Sequence, residues 1–378
     1  MQTGPTKRAA DPWPFPRWGQ TPWSIDFRPA KNPLPDAVDI AIIGGGFTGL
    51  AAAAWSRRCD PTKTVAVFES EGIGAGASGR TGGLVLAETA AGDLPGLGDV
   101  LAGFSNILRD LSVDADLTLP GVWELRRDTS WASSPISWKD SGTLRVANEV
   151  LGGMIDPSQL VAGLARAAEQ LGAQVYEHAW VEHVEFGQPL ALTVSGRRVQ
   201  ARRVLMAVNA LSLELSALEL SAQPKLTLAL ATEPLTDAQL HATGLAEGKP
   251  FYTEDLPYLW GRQLSRNRAM FGSGLVDVGN WRDLYALDVC TGQAGQWMAR
   301  LEKRVRGLHP ALSEVHLPLK WGGPILIANQ RRPFFAAHPK DSRALVLGAY
   351  SGHGVALSTY LGSWAAEALL DRRKLPNW

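Results

Sequence analysis

Residues 38–49 read VDIAIIGGGFTG, and the fold turns on them. The run 38–43 is largely apolar and β-branched, the composition of a strand buried on both faces of a parallel sheet. It stops at glycine, and LAAAAWSRR (50–58) follows as a strong helix former. TVAVFE (64–69) then supplies a second strand. Strand, tight turn, helix and strand is the order of a dinucleotide-binding unit. Within the turn, Gly44, Gly46 and Gly49 have the G-x-G-x-x-G spacing. The first glycine allows the turn, the second lets backbone N–H groups approach a pyrophosphate, and the third packs helix on strand. The helix N-terminus beneath adds partial positive charge. Glu69 follows Gly49 by 20 residues, at the end of the second strand. A carboxylate there accepts hydrogen bonds from ribose hydroxyls and disfavours a 2′-phosphate.

A second glycine-rich stretch, GIGAGASGRTGG, occupies residues 72–83. Six glycines in twelve residues exceed what the loop of a nicotinamide enzyme needs, so the stretch is read as having a ligand of its own. Ser78 and Arg80 are expected to neutralise a pyrophosphate from the side opposite the helix, while Gly82, Gly83 and Leu84 bring backbone close to a flat ring. A nicotinamide-dependent dehydrogenase would leave this loop, and SGHG at 351–354, without a task.

Outward from this unit, residues 99–111 read as a helix and 121–127 and 142–145 as strands of another domain. IDPSQLVAGLARAAEQLGA (155–173) gives a helix starting near Pro157, with Asp156 or Ser158 to cap it and Gly172 to stop it. Strands follow over 174–186, 190–194 and 202–210. Residues 226–230, 258–264 and 269–274 alternate as antiparallel strands, the last two joined by SRNR. ALVLGAY, SGHG and VALSTYLGSWAAEALL (344–370) close the chain as strand, glycine loop and helix.

IIGGGFTGL (42–50), FES (68–70) and GAGASGRTGG (74–83) together resemble the D-amino-acid oxidase superfamily of FAD enzymes. Residues 155–177, 202–210 and 345–362 extend the resemblance from about residue 38 to the end. It implies an α/β, Rossmann-like FAD-binding domain of the glutathione-reductase type, with an inserted α+β substrate domain built on an antiparallel sheet. The expected division is a Trp/Pro-rich strap at 1–35, an FAD domain from 36–92, 150–222 and 322–378, and a substrate domain from 93–149 and 223–321. The resemblance places cofactor contacts at Phe47, Thr48, Ser70, Ala77 and Thr81, adenine at the backbone of Val181, and Asn209 near the cofactor. Gly352, His353, Gly354 and Val355 would hold the ribityl chain and flavin carbonyl. A helix starting at such a loop points N–H groups at the pyrimidine side of the ring, which stabilises the reduced anion.

LKWGGPILIANQRRPFFA (319–336) is similar to a segment of the γ-glutamylputrescine oxidase-like subgroup, which implies oxidation of an amine C–N bond. Leu326 stands near the place of an acidic residue often found there. The cysteine that carries flavin in monomeric sarcosine oxidase is replaced by Pro324 or a neighbour, which implies noncovalent FAD. Ala356 stands where that enzyme has a carboxylate-binding lysine. A rival substrate, an α-amino acid or N-methyl amino acid, requires Arg331 or Arg332 to reach its carboxylate. Tyr258, Trp260 and Trp321 are candidates for the pocket wall or for ordinary core aromatics. Arg262 or Arg268 is the candidate positive charge for oxygen, the electron acceptor being O₂ or another oxidant.

Composition narrows the partners. Lys+Arg and Asp+Glu both number 37, so no net field attracts nucleic acid or an anionic membrane. Cys59 and Cys290 are the only cysteines and form neither a disulfide framework nor a metal-ligand spacing, and no metal is expected. No apolar run is long enough to span a bilayer, and a cytoplasmic enzyme is expected. Among 14 tryptophans, Trp13, Trp18 and Trp23 fall in a Pro-rich leader. Their rings are read as docking the leader on the body, or as shielding a ligand pocket.

Overall fold

The computed structural model describes residues 18–127, 134–218 and 221–378, and Trp13 lies outside the described residues. The first sheet grows from the strand Ala37–Ile43, which pairs in parallel with Val65–Phe68 on one side and Arg197–Met206 on the other. Asp341–Gly348 and Gln174–Tyr176 extend the parallel run, and Phe334–His338 adds an antiparallel edge. All four residues of Val65–Phe68 are buried, the signature of a strand covered on both faces. The helices Phe47–Cys59, Pro157–Gln170 and Gly354–Leu369 cover one face, packing on Val65 and Val67, while Ala66 and Phe68 face a second core shared with Val184, Leu190 and Leu192. Ala51 to Ala54 have no exposed surface, and the C-terminal helix crosses so close that a Cβ on Gly362 would stand 2.6 Å from the Thr48 carbonyl. Asp156, rather than Ser158, caps the helix Pro157–Gln170, accepting from the amides of Ser158 and Gln159 at 2.8 and 3.0 Å.

The second sheet has eight strands, antiparallel except where Phe251–Thr253 meets Val122–Arg127. Ala222–Ala231, Leu259–Gln263, Ala269–Asp277 and Leu319–Ala328 lie side by side in it. The helix Gly292–Leu308 backs this sheet, turning Met298, Leu301, Val305 and Leu308 inward. Gly292 and Gly295 in its first turn mask that periodicity in the sequence.

Two segments depart from the expected division. The strand Leu319–Ala328 pairs with Ala222–Ala231 along its whole length, so the boundary expected at 322 falls inside a strand of the second sheet. Gly322 permits this, since a Cβ there would meet the Leu226 side chain at 2.9 Å. The helix Val100–Asp110, expected on the substrate side, instead inserts Val100, Phe104, Ile107 and Leu108 into the first domain's core. Asp99 caps it and the Tyr360 hydroxyl donates to the Leu97 carbonyl, tying it to the C-terminal helix.

Candidate active site

Between the two sheets lies a cavity of about 1120 Å³, above the roughly 300–1,000 Å³ of a pocket for one drug-sized ligand. On its first wall the turn after Ala37–Ile43 places Gly44, Gly46, Phe47 and Thr48 at the start of the first helix. That helix has no side-chain cap of its own, and the Phe47 amide donates instead to Ser78 Oγ at 3.0 Å. Gly49 does not reach the cavity, because its hydrogen faces the Gly44 carbonyl, where a Cβ would stand 2.0 Å away. Glu69 Oε2 accepts from the Gly45 amide at 2.7 Å and Oε1 from the Glu71 amide at 3.0 Å. Burial raises this carboxyl above the ordinary glutamate range, against the lowering effect of those amides and the Ser70 hydroxyl.

Ser70, Ala77, Ser78, Thr81, Gly82 and Leu84 also line the cavity. Gly83 is turned away at φ +74°, its α-carbon against the Ile155 carbonyl. Arg80 also lines the cavity, and its guanidinium is held by backbone carbonyls. Its Nε donates to the Ala75 carbonyl at 3.2 Å and its Nη1 to the Gly19 carbonyl at 3.1 Å, and its guanidinium lies 5.5 Å from the Trp18 ring centroid. Burial depresses its pKa. Of these two carbonyls, Ala75 belongs to the same loop and Gly19 comes from the leader.

The far end of the cavity is closed by Val181, Asn209 and the loop carrying Gly352, His353, Gly354 and Val355. Asn209, at φ +47°, accepts from the Ala349 amide at 3.0 Å and so anchors that loop. Thr48 and Tyr350 share a buried hydroxyl–hydroxyl bond of 2.7 Å that joins it to the first helix. The C-terminal helix begins at His353 without a side-chain cap. Burial lowers the His353 pKa, opposed by the Ser351 backbone and helped by nearby Arg331.

These features fit a bound dinucleotide. His353 Nδ1 and Ser358 Oγ are buried with no protein partner, and both residues line the cavity. A Cβ on Gly76 or Gly352 would meet nothing within 4 Å, so both open onto free space. Two helix N-termini converge on that space.

The second sheet supplies the opposite wall. Tyr258 and Trp260, two residues apart, both face the cavity; Tyr258 is 36% exposed, at the mouth. The Trp260 ring covers Gly82 and Gly272, whose Cβ positions would fall 2.4 and 2.0 Å from it. Trp321 borders the cavity but has no exposed surface, and its Nε1 donates to the Arg80 carbonyl at 3.0 Å. It packs as a core residue with Met270 and Trp260. Arg262 does not line the cavity: it donates to the Gly82 carbonyl at 2.7 Å from behind, and burial lowers its pKa to about 10. Arg268 donates to the Thr232 carbonyl at 2.9 Å.

Sequence reading missed Glu88, Tyr252, Glu254 and Trp281, all in the cavity wall. Burial first, and then the carboxylates of Glu124, Glu88 and Glu254, raise the Tyr252 phenol. That wall is acidic and aromatic.

The family model for FAD-dependent oxidoreductases (DAO) matches residues 39–368. The chain belongs to the DAO family of FAD-dependent oxidoreductases. Gamma-glutamylputrescine oxidoreductase of Escherichia coli K12 is 26% identical to it, over 88% of this chain and 83% of that protein. Glycine oxidase of Bacillus subtilis strain 168 is 21% identical over 90% and 95% of the two chains. Glycine oxidase from Geobacillus kaustophilus superimposes with a TM-score of 0.69 at 20% identity, over 90% of this chain and 96% of that one. As a DAO-family flavoenzyme this protein is an FAD-dependent oxidoreductase of amine or amino-acid substrates. Among the described residues no helix is long and apolar enough to cross a membrane.

Proposed function

We propose that this enzyme oxidises the C–N bond of an amine, with its FAD held noncovalently in the cleft between the two sheets. The observation that carries the reading is the acidic, aromatic wall of Glu88, Tyr252, Glu254, Tyr258 and Trp260 facing the glycine loop. Bound FAD supplies a two-electron oxidant: the substrate α-carbon gives up a hydride, the nitrogen lone pair forms the C=N bond, and water hydrolyses the imine to a carbonyl compound and an amine or ammonia. The first helix N-terminus and Glu69 would hold the pyrophosphate and ribose. Gly352, Gly354 and the C-terminal helix N-terminus would face the pyrimidine side of the ring and favour negative charge there. Glu254, half-exposed and bonded to Arg126 at 2.5 Å, stands near the mouth and gives it an attraction for an ammonium group. Tyr258 and Trp260 then offer π faces and displace water, which lowers the cost of the neutral amine that the reaction requires. Neither cysteine lines the cavity, in keeping with noncovalent attachment.

A second reading has one specific observation behind it. Arg331 also lines the cavity, beside His353, and would serve the carboxylate of an α-amino acid or N-methyl amino acid. Arg332 borders a separate hollow near Trp378. Anaerobic mixing with primary amines, N-methyl amino acids and α-amino acids separates the two. Bleaching of the visible flavin band by amines, with a carbonyl product, supports the first reading. Bleaching by carboxylate-bearing substrates alone, abolished in Arg331→Ala, would replace it with the second. Reoxidation on admitting air identifies oxygen as the acceptor.

A further inference from the structure

The glycine loop, residues 72–83, is half glycine, so little in its own sequence imposes one backbone conformation. One side of the loop faces the cavity. The other side is covered by the leader, residues 18–27, which touches all three hydrophobic cores. Trp18 is buried in the core of the second sheet, its Nε1 donating to the Leu284 carbonyl at 2.8 Å. Its own carbonyl accepts from the Gly322 amide at 2.7 Å, and Gly19 forms an antiparallel bridge with Trp321. Trp23 packs edge-on against Trp321, centroids 5.7 Å apart, in a small third core that also holds Met270 and Trp260. Ile25 and Phe27 pack on the first domain's core.

From this span three contacts reach the back of the loop. Trp23 Nε1 donates to the Gly79 carbonyl at 2.8 Å. The Ile25 Cδ1 lies where a Cβ on Gly74 or Gly79 would stand, at 2.7 and 2.9 Å. Arg80 reaches back to the Gly19 carbonyl. The contacts fall at Gly74 and at Gly79–Arg80, on either side of Gly76, Ala77 and Ser78, which line the cavity.

We propose that the leader is the outer wall of the cofactor site, and that Trp23, with Ile25 and the Arg80 anchorage, is a positioning residue that holds the glycine loop in its FAD-binding conformation. The inference rests on FAD lying in the cleft described above. Without Trp23 the loop would populate other conformations, and FAD would bind only to the competent fraction, with affinity lowered in proportion.

The test is reconstitution of full-length apoprotein with FAD, followed by flavin fluorescence. Trp23→Ala is expected to raise the FAD dissociation constant about tenfold or more, combining one lost hydrogen bond with loop disorder. Trp23→Phe, which keeps a ring on Trp321 but has no N–H for Gly79, is expected to fall between that variant and the parent. Tryptic cleavage after Arg80, read as a fragment beginning at Thr81, is expected to speed up in the Trp23→Ala apoprotein and to be suppressed by saturating FAD. At saturating FAD the turnover number is expected to return to the parent value, which a residue that only supported the fold or touched substrate would not do. Glu69→Ala is run in parallel. FAD lost by Glu69→Ala but bound with parental affinity by Trp23→Ala and Trp23→Phe would overturn the role of the leader alone. FAD retained by all variants would overturn the cleft assignment beneath it. Turnover that stays depressed at saturating FAD, with unchanged cleavage after Arg80, would also overturn the positioning role.

Discussion

Glu69 is the residue whose chemistry is most exposed to test. Its carboxyl is raised by burial, and its two oxygens already accept amide bonds from Gly45 and Glu71. Ribose hydroxyls donate best to the carboxylate, so FAD binding draws on the deprotonated form. The sign follows: affinity is complete above the raised pKa and declines as pH falls through it, because the proton must then be expelled. Glu69→Gln is expected to weaken FAD binding roughly 10- to 100-fold, the range of a hydrogen bond to a charged group, and to flatten this acid limb. Fluorescence titrations of apoprotein across the acid range check both; a parallel acid limb in the variant would assign the titration to another group. Glu69 was legible because a strand end and a fixed distance from the glycine turn define its place. Arg80 was legible only as an arginine in a glycine loop. Its contacts with the Gly19 carbonyl and the Trp18 ring are settled by tertiary packing and could not be read from the loop itself.

At the scale of elements, the two glycine loops divide into positions fixed by sterics and positions reserved for a ligand. Gly49→Ala places a methyl 2.0 Å from the Gly44 carbonyl and is expected to cost at least about 1–3 kcal/mol of stability as overpacking. Gly76→Ala meets no protein atom within 4 Å and is expected to leave the denaturant midpoint in place while reducing FAD affinity. Equal effects of the two on stability would contradict that division. The substrate-side loop at 254–258 has its own support. Asp140, 9% exposed, accepts from Arg127 at 2.8 Å and Arg304 at 2.9 Å, and Arg304 also donates to the Tyr258 carbonyl at 3.1 Å and Ser273 Oγ at 3.0 Å. Asp140→Ala leaves two largely enclosed guanidinium groups without their shared carboxylate, Arg127 retaining only the Asp255 carboxylate at 3.4 Å. It is expected to cost about 3–5 kcal/mol in denaturant melts and to raise the amine KM more than it lowers kcat. This support could not be read from sequence, since Asp140, Arg127 and Arg304 lie on three separate segments. The parallel strands and their helices were legible, because hydrophobic runs, caps and glycine turns are local signals. The helix Gly292–Leu308 was not, its first turn being weakened by glycine, and the strand Leu319–Ala328 was divided at 322 because its pairing with Ala222–Ala231 is not written in the segment itself.

For the whole molecule, the arrangement of two sheets facing one another across a single large cleft explains why cofactor and substrate residues come from widely separated stretches. Among the described residues three hydrophobic cores hold the walls in register, one spanning both sheets, one between the first sheet and its helices, and a small one around Trp321, and the leader touches all three. The fold class and the FAD cofactor were readable from motif spacing. The acidic and aromatic wall was not, because Glu88, Tyr252 and Glu254 meet only in the folded chain. The most direct test of the central claim is anaerobic reduction of the purified yellow protein by an amine of the reactive class, compared with the same amine deuterated at its α-carbon. If the cleft delivers that carbon to FAD for hydride transfer, the visible flavin band bleaches and deuteration slows the bleaching several-fold. Failure of every amine to bleach the band, or a bleaching that leaves the α C–H bond unbroken, would contradict the account.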